Sequence, residues 1–191
     1  MDPRKHFSAL NIIHRIIREK VKPGDICIDA TAGRGNDTLL LAQLVGESGH
    51  VTAFDIQQDA VDSTKALLAA NGMTERTDVL LKSHSEMGEL FKEDRVSCIT
   101  FNFGWLPKGD HNIFTDKSTS IPAIEQGLRL LKSGGIMTLI IYYGRETGFE
   151  ERDALLEFLP TIDSGRFTVI EMPFVNRPNC PPIPIIIHKD L

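Results

Sequence analysis

The stretch Asp29-Ala30-Thr31-Ala32-Gly33-Arg34-Gly35-Asn36-Asp37-Thr38 decides the fold. It follows an apolar run, residues 26–29, that reads as a short buried strand. It leads into residues 36–44, which read as a helix closed by Gly46 and Gly49. Gly33 and Gly35 allow the chain to turn tightly and to approach a ligand closely. A glycine-rich turn between a strand and a helix is the ligand-binding corner of an open α/β sheet.

The pattern repeats outward from there. Residues 51–55, 79–81, 96–101 and 136–142 read as further strands. Residues 57–70, 85–91, 121–131 and 150–159 read as helices, with Asn71-Gly72 and Lys132-Ser133-Gly134-Gly135 as stops. Two late strands, 167–172 and 183–188, have no helix between them, so they should pair antiparallel. Upstream, residues 7–21 place Phe7, Leu10, Ile13, Ile17 and Val21 on one face of an amphipathic helix. The expected fold is α/β and Rossmann-like. It has a seven-stranded, mostly parallel sheet, helices on both faces and an antiparallel last strand. One domain over 1–191 is expected, with 1–22 as an N-terminal helix packed on it.

Composition narrows the classes. Of 191 residues, 41% are hydrophobic and 25% charged, as in an ordinary folded domain. No apolar run reaches the ~20 residues of a membrane helix, and the N-terminus lacks a signal peptide's apolar segment, so a cytoplasmic protein is expected. Net charge is −5, which argues against a strongly cationic, non-specific nucleic-acid binder. The charge is uneven, because residues 1–22 carry six Lys/Arg against two acids. Cys27, Cys98 and Cys180 are odd in number and far apart, which fits a reducing compartment, and Cys27 and Cys98 sit in apolar strand-like runs that suit buried thiols. No spacing suggests a metal site.

The glycine turn is flanked by acids. Asp29 precedes Gly33, and Asp55 ends the second strand, where a carboxylate can accept both hydroxyls of a ribose. A dinucleotide prefers a third glycine where Thr38 stands, and Asp29 is a poor neighbour for pyrophosphate. A carboxylate suits an ammonium or sulfonium group, so S-adenosylmethionine is the expected cofactor and S-adenosylhomocysteine its product. NAD and a ligand-free structural turn are the weaker readings. Asp29, Thr31, Gly33, Gly35, Asn36, Asp37 and Thr38 are expected on the methionine side. Asp55 and Gln57 are expected on the ribose and adenine side, with Ser83 and His84 after the third strand near the adenine.

Asp-Ala-Thr-x-Gly-x-Gly-x-Asp-Thr resembles motif I of class I methyltransferases. The chain is most similar to the MnmM (YtqB-like) family of tRNA methyltransferases, members of which are also called rRNA methylases. The likeness continues in His14, Ser83-His84, Asn102-Phe103-Gly104-Trp105-Leu106-Pro107, Tyr142-Tyr143-Gly144, Asn176 and Asn179-x-Pro181-Pro182. It covers roughly residues 8–189. Phe103 and Trp105 stand where the family more usually has Leu and Tyr, and Ile13 stands where it has Ser.

The resemblance implies a fold and a reaction. The fold is that of class I methyltransferases. The reaction is N-methylation of the aminomethyl group of 5-aminomethyl-2-thiouridine at the tRNA wobble position, giving 5-methylaminomethyl-2-thiouridine. In amino-group methyltransferases the end of the fourth strand carries an acceptor for the amine's hydrogens and an aromatic that stacks on the base. Asn102 and Trp105 fit those parts, with Asn102 also near the cofactor. Tyr142 and Tyr143 are expected around the amine. His14, Pro107, Asp110, Arg145, Asn176 and Arg177 are expected on the substrate side, the two arginines toward RNA phosphate. Asp110, His111 and Tyr143 stay open as a proton acceptor. The implied partner is the tRNA anticodon stem-loop, and a homodimer would assemble a wider basic surface. Alternatives are methylation of rRNA or of a small-molecule amine, or a non-catalytic S-adenosylmethionine-binding protein.

Overall fold

Local chemistry sets the ends of the elements in the computed structural model, which describes residues 7–104, 115–144 and 146–191. The Ser8 hydroxyl accepts from the Asn11 amide and starts α1 (Ala9–Lys20). Strand β1 (Ile26–Asp29) follows, then α2 (Asn36–Val45), β2 (His50–Asp55), α3 (Gln58–Ala70) and β3 (Thr77–Leu81). The second half runs β4 (Val96–Phe103), α4 (Lys117–Leu130), β5 (Leu131–Ile141), α5 (Glu146–Phe158), β6 (Phe167–Glu171) and β7 (Ile183–Lys189).

The strands form one seven-stranded sheet in the order β3-β2-β1-β4-β5-β7-β6. The first five pair in parallel, and β7 runs antiparallel to both β5 and β6. This is the arrangement the sequence pattern leads one to expect. Strand order reverses between β1 and β4, so the crevice beyond their carboxyl ends is where a ligand sits in such sheets.

Side chains alternate between two apolar layers. Met137, Leu139 and Ile141 of β5 join Phe101, Phe103, Ile124 and Leu155 on one face. Ile136 and Ile140 join Cys27, Cys98, Ile13 and Ile17 on the other, which seats α1 against the sheet. Each fully buried isoleucine contributes about 1.5–3 kcal/mol relative to leaving it in water. Cys27 and Cys98 are register neighbours on β1 and β4, and both are buried free thiols, pushed far up in pKa by desolvation.

Several boundaries differ from the sequence pattern. Helix α4 begins at Lys117, because the Asp116 carboxylate caps it by accepting from the Ser118 amide. Its Ser/Thr-rich first turn and internal Pro122 hide that start from a hydrophobic pattern. Residues 132–135, expected as a stop between helix and strand, form a bulge inside β5. Val96 pairs with Leu131 and Cys98 with Ile136, and Gly134 absorbs the bend at φ +75°.

Candidate active site

The crevice is built from the end of β1 upward. Asp29 is fully buried. Its carboxylate accepts from the Thr38 hydroxyl at 2.6 Å and from the Thr31 amide at 3.2 Å. Desolvation, then the nearby Asp37 carboxylate, push its pKa up to about 7. Asp29 therefore lies beneath the glycine turn and ties it to α2, and it does not reach the cavity wall. Thr38 is buried with it.

Gly33 and Gly35 both take positive φ, +53° and +82°. A Cβ on Gly35 would come within 3.0 Å of the Thr64 backbone, so the turn needs glycine there for both shape and space. Asp55, at the end of β2, accepts from the Gly33 amide and from the Gln57 amide, each at 2.9 Å. One carboxylate thus clamps two loops, and each oxygen retains a lone pair for an incoming hydroxyl.

A cavity of about 360 Å³ opens above this turn. Of the expected residues, Thr31, Gly33, Asn36, Asp37, Asn102, Tyr142 and Tyr143 line it. The Asn102 backbone amide donates to the Thr31 hydroxyl at 2.7 Å, and its side-chain Nδ2 donates to Asp37 Oδ2 at 2.7 Å. Asp37 Oδ1 is 2.6 Å from His14 Nε2. The bond to a carboxylate fixes which end of the Asn102 amide is nitrogen, since a carboxylate offers acceptors. Among the described residues, the side-chain and loop bonds of Asn102 run through its backbone amide to Thr31 and its Nδ2 to Asp37, with no donor on Oδ1. Burial, then Asp37, push the Tyr142 phenol up to about 12, so it remains a neutral donor at physiological pH.

The other expected residues are spread around this centre. His14 stands behind Asp37 rather than on the wall. Ser83 caps a short 3-10 helix through a reciprocal bond with Glu86. His84 packs edge-on to Phe101 and Phe103, at 5.9 and 6.3 Å between ring centres. Its Nε2 is buried without a hydrogen-bond partner among the described residues, and desolvation lowers its pKa to about 4. Asn176 is exposed, and Arg177 stacks over Phe174 at 3.9 Å, both away from the cavity lining. Trp105, Pro107, Asp110, His111 and Arg145 lie outside the described residues.

Sequence reasoning missed some of the wall. Leu10 lines the cavity one helical turn before His14, a spacing that could have flagged it. Arg34 sits between the two glycines and contributes a cation to the rim. Cys180 and Pro182 reach in from the β6–β7 connection, inside a motif already conspicuous for its prolines.

The family model described as "Putative rRNA methylase" matches residues 51–188. This chain belongs to that methylase family. A chloroplastic tRNA (mnm5s2U34)-methyltransferase of Arabidopsis thaliana is 35% identical over 95% of this chain and 70% of its own length. An rRNA-methylase structure from Clostridium thermocellum is 43% identical, with a TM-score of 0.93 over 95% of this chain and 97% of that one. A methyltransferase from Streptococcus mutans, solved with S-adenosylhomocysteine, is 31% identical, with a TM-score of 0.86 over the same shares. The methylase is thus a class I methyltransferase dependent on S-adenosylmethionine, as motif I suggests.

The residues present fit that cofactor. Asp37 on the cavity wall and Asp55 at the glycine turn favour a ligand bearing cations over a pyrophosphate. Gly33 leaves the wall open at the turn, and Arg34 offers a partner for a carboxylate.

Proposed function

We infer that the methylase transfers a methyl group to the exocyclic aminomethyl nitrogen of 5-aminomethyl-2-thiouridine at the tRNA wobble position. The name of the Arabidopsis relative supports this acceptor. The observation that carries amine methylation is the Asn102 amide at the cavity wall, tied to Asp37 through its nitrogen and, among the described residues, with no donor on its oxygen. S-adenosylmethionine, when bound, supplies a methyl carbon activated by its sulfonium and departs as S-adenosylhomocysteine.

The chain's own residues orient and exclude. Thr31, Gly33, Asn36 and Asp37 hold the methionine side, and Asp55 receives the ribose hydroxyls. Asn102 Oδ1 accepts an amine hydrogen and turns the nitrogen lone pair toward the reaction axis. Proximity of this kind accounts for much of such a barrier reduction. Tyr142 and Tyr143 wall the amine from water, which favours its neutral, nucleophilic form. Asn176 and Arg177 face the anticodon stem-loop, with Arg177 toward phosphate. Trp105, Pro107, Asp110 and Arg145 complete the acceptor side, and a homodimer widens the basic surface. The protein works in the cytoplasm; no helix among the described residues is long and apolar enough to cross a membrane. The family description favours a second acceptor, rRNA.

Nucleoside mass spectrometry of tRNA after incubation with enzyme and S-adenosylmethionine tests the reading. One added methyl on the aminomethyl uridine supports it. An unchanged nucleoside in the presence of active enzyme overturns it. Light scattering of enzyme alone and with tRNA tests the dimer, and a monomer in both sinks it.

A further inference from the structure

Glu151 is a buried acid that the chemistry above leaves unused, 3% exposed on α5. Its Oε1 accepts from the Ser120 hydroxyl at 2.6 Å and its Oε2 from the Thr115 hydroxyl at 2.7 Å. The Thr115 oxygen in turn accepts from the Gly104 amide at 2.7 Å. The Gly104 carbonyl closes the ring by accepting from the Thr115 amide at 2.9 Å. The chain of donors therefore has one direction: Gly104 N–H to Thr115 O–H to the Glu151 carboxylate.

Gly104 lies two residues beyond Asn102 and lines the cavity. It sits at φ +144°, and a Cβ there would come within 3.0 Å of the Tyr142 Cβ. The next residue on α5, Arg152, lies over the rings of Tyr143 and Phe149, each at 4.8 Å. Tyr143 is another cavity residue. Adjacent residues of one helix thus brace both sides of the opening beyond Asn102.

We propose that Glu151 is a positioning residue for methyl transfer, fixing through Thr115 the point where the chain leaves β4 and hence the acceptor side of the cavity. This rests on the reading that the amine is presented between Asn102 and Tyr143. A carboxylate suits the task because both its oxygens accept, which leaves the Thr115 lone pair for Gly104. A glutamine would offer an amide donor to one hydroxyl and reverse or break one link of the chain. Burial raises the Glu151 pKa, and the bonds from the Ser120 and Thr115 hydroxyls oppose that rise.

The test compares wild type, Glu151→Gln, Thr115→Val and Thr115→Ser in single-turnover methylation of tRNA, each rate normalised to cofactor-binding sites counted by calorimetry. Glu151→Gln and Thr115→Val should lose about tenfold in that rate, with cofactor affinity unchanged. Thr115→Ser keeps the hydroxyl and should restore the rate. A merely structural role would lower thermal stability or the number of binding sites and leave the normalised rate alone, and that result overturns the proposal. If wild type methylates tRNA and the variants match it, the proposal alone fails. If wild type binds cofactor and leaves tRNA unmethylated, the acceptor reading fails and the proposal falls with it.

Discussion

The side-chain nitrogen of Asn102 donates to the Asp37 carboxylate across 2.7 Å, joining residues from β4 and α2 at one cavity wall. The bond decides the direction of the amide and reserves its oxygen for a donor that enters. Asn102→Ala should remove that acceptor and cut turnover by about 10²–10³-fold, the range for deleting one preorganised polar group. Cofactor affinity should survive, because the glycine turn is untouched. Isothermal titration alongside rate measurement separates the two effects.

His14 reaches the same carboxylate from α1, with Nε2 at 2.6 Å from Asp37 Oδ1. Its removal frees Asp37 to rotate and Asn102 to turn with it. His14→Ala should lower kcat by about tenfold. His14→Gln keeps an N–H donor and should recover part of the loss. Equal kcat values for all three proteins would refute the coupling.

Gly35 opens α2 with φ +82°, and a methyl group there would press on Thr64 at 3.0 Å. Gly35→Ala should cost about 1–2 kcal/mol for the left-handed backbone alone. The collision with Thr64 adds to this. A lower midpoint in urea unfolding and weaker cofactor binding are expected together, because the same turn forms the cavity wall.

Stability should carry a pH signature from two buried groups. Asp29 is raised to about 7 by desolvation, so the folded state holds its proton more tightly than the unfolded chain. Its contribution is fullest below the ordinary carboxylate range and is lost as pH rises through about 7. His84 is lowered to about 4 by desolvation, so the unfolded chain takes its proton first. Its contribution is present above the ordinary histidine range and is lost as pH falls toward about 4. Denaturant unfolding across pH should therefore show Asp29→Asn flattening the loss toward neutrality. His84→Phe should flatten the loss on the acid side. Curves parallel to wild type would contradict both assignments.

Much of the fold was legible because its signals are local. Apolar runs such as Val96 to Phe101 mark strands buried on both faces, and the Gly33–Gly35 turn marks the ligand corner. Most site positions in motif I also came to the cavity, since one tight turn carries them. The roles within it were not legible. Asp29 and Asp37 look alike as acids, yet one is sealed under the turn and the other faces the cavity. His14 meets Asp37 across 23 positions of sequence, and Thr115 meets Glu151 across 36. Such pairs form only when α1 and α5 pack on the sheet, and no periodicity records them. The start of α4 was hidden for a different reason, since Asp116 and Ser118 signal a cap but residues 117–120 behind it include no apolar side chain.

The acceptor is tested most directly with two anticodon stem-loops, identical except that one carries 5-aminomethyl-2-thiouridine and the other 2-thiouridine at the wobble position. Each is incubated with the methylase and S-adenosylmethionine bearing a labelled methyl group. Label should enter the first RNA alone, and mass spectrometry should place it on the aminomethyl nitrogen. Label in both RNAs, or in neither while ribosomal RNA is labelled by the same preparation, would contradict the account.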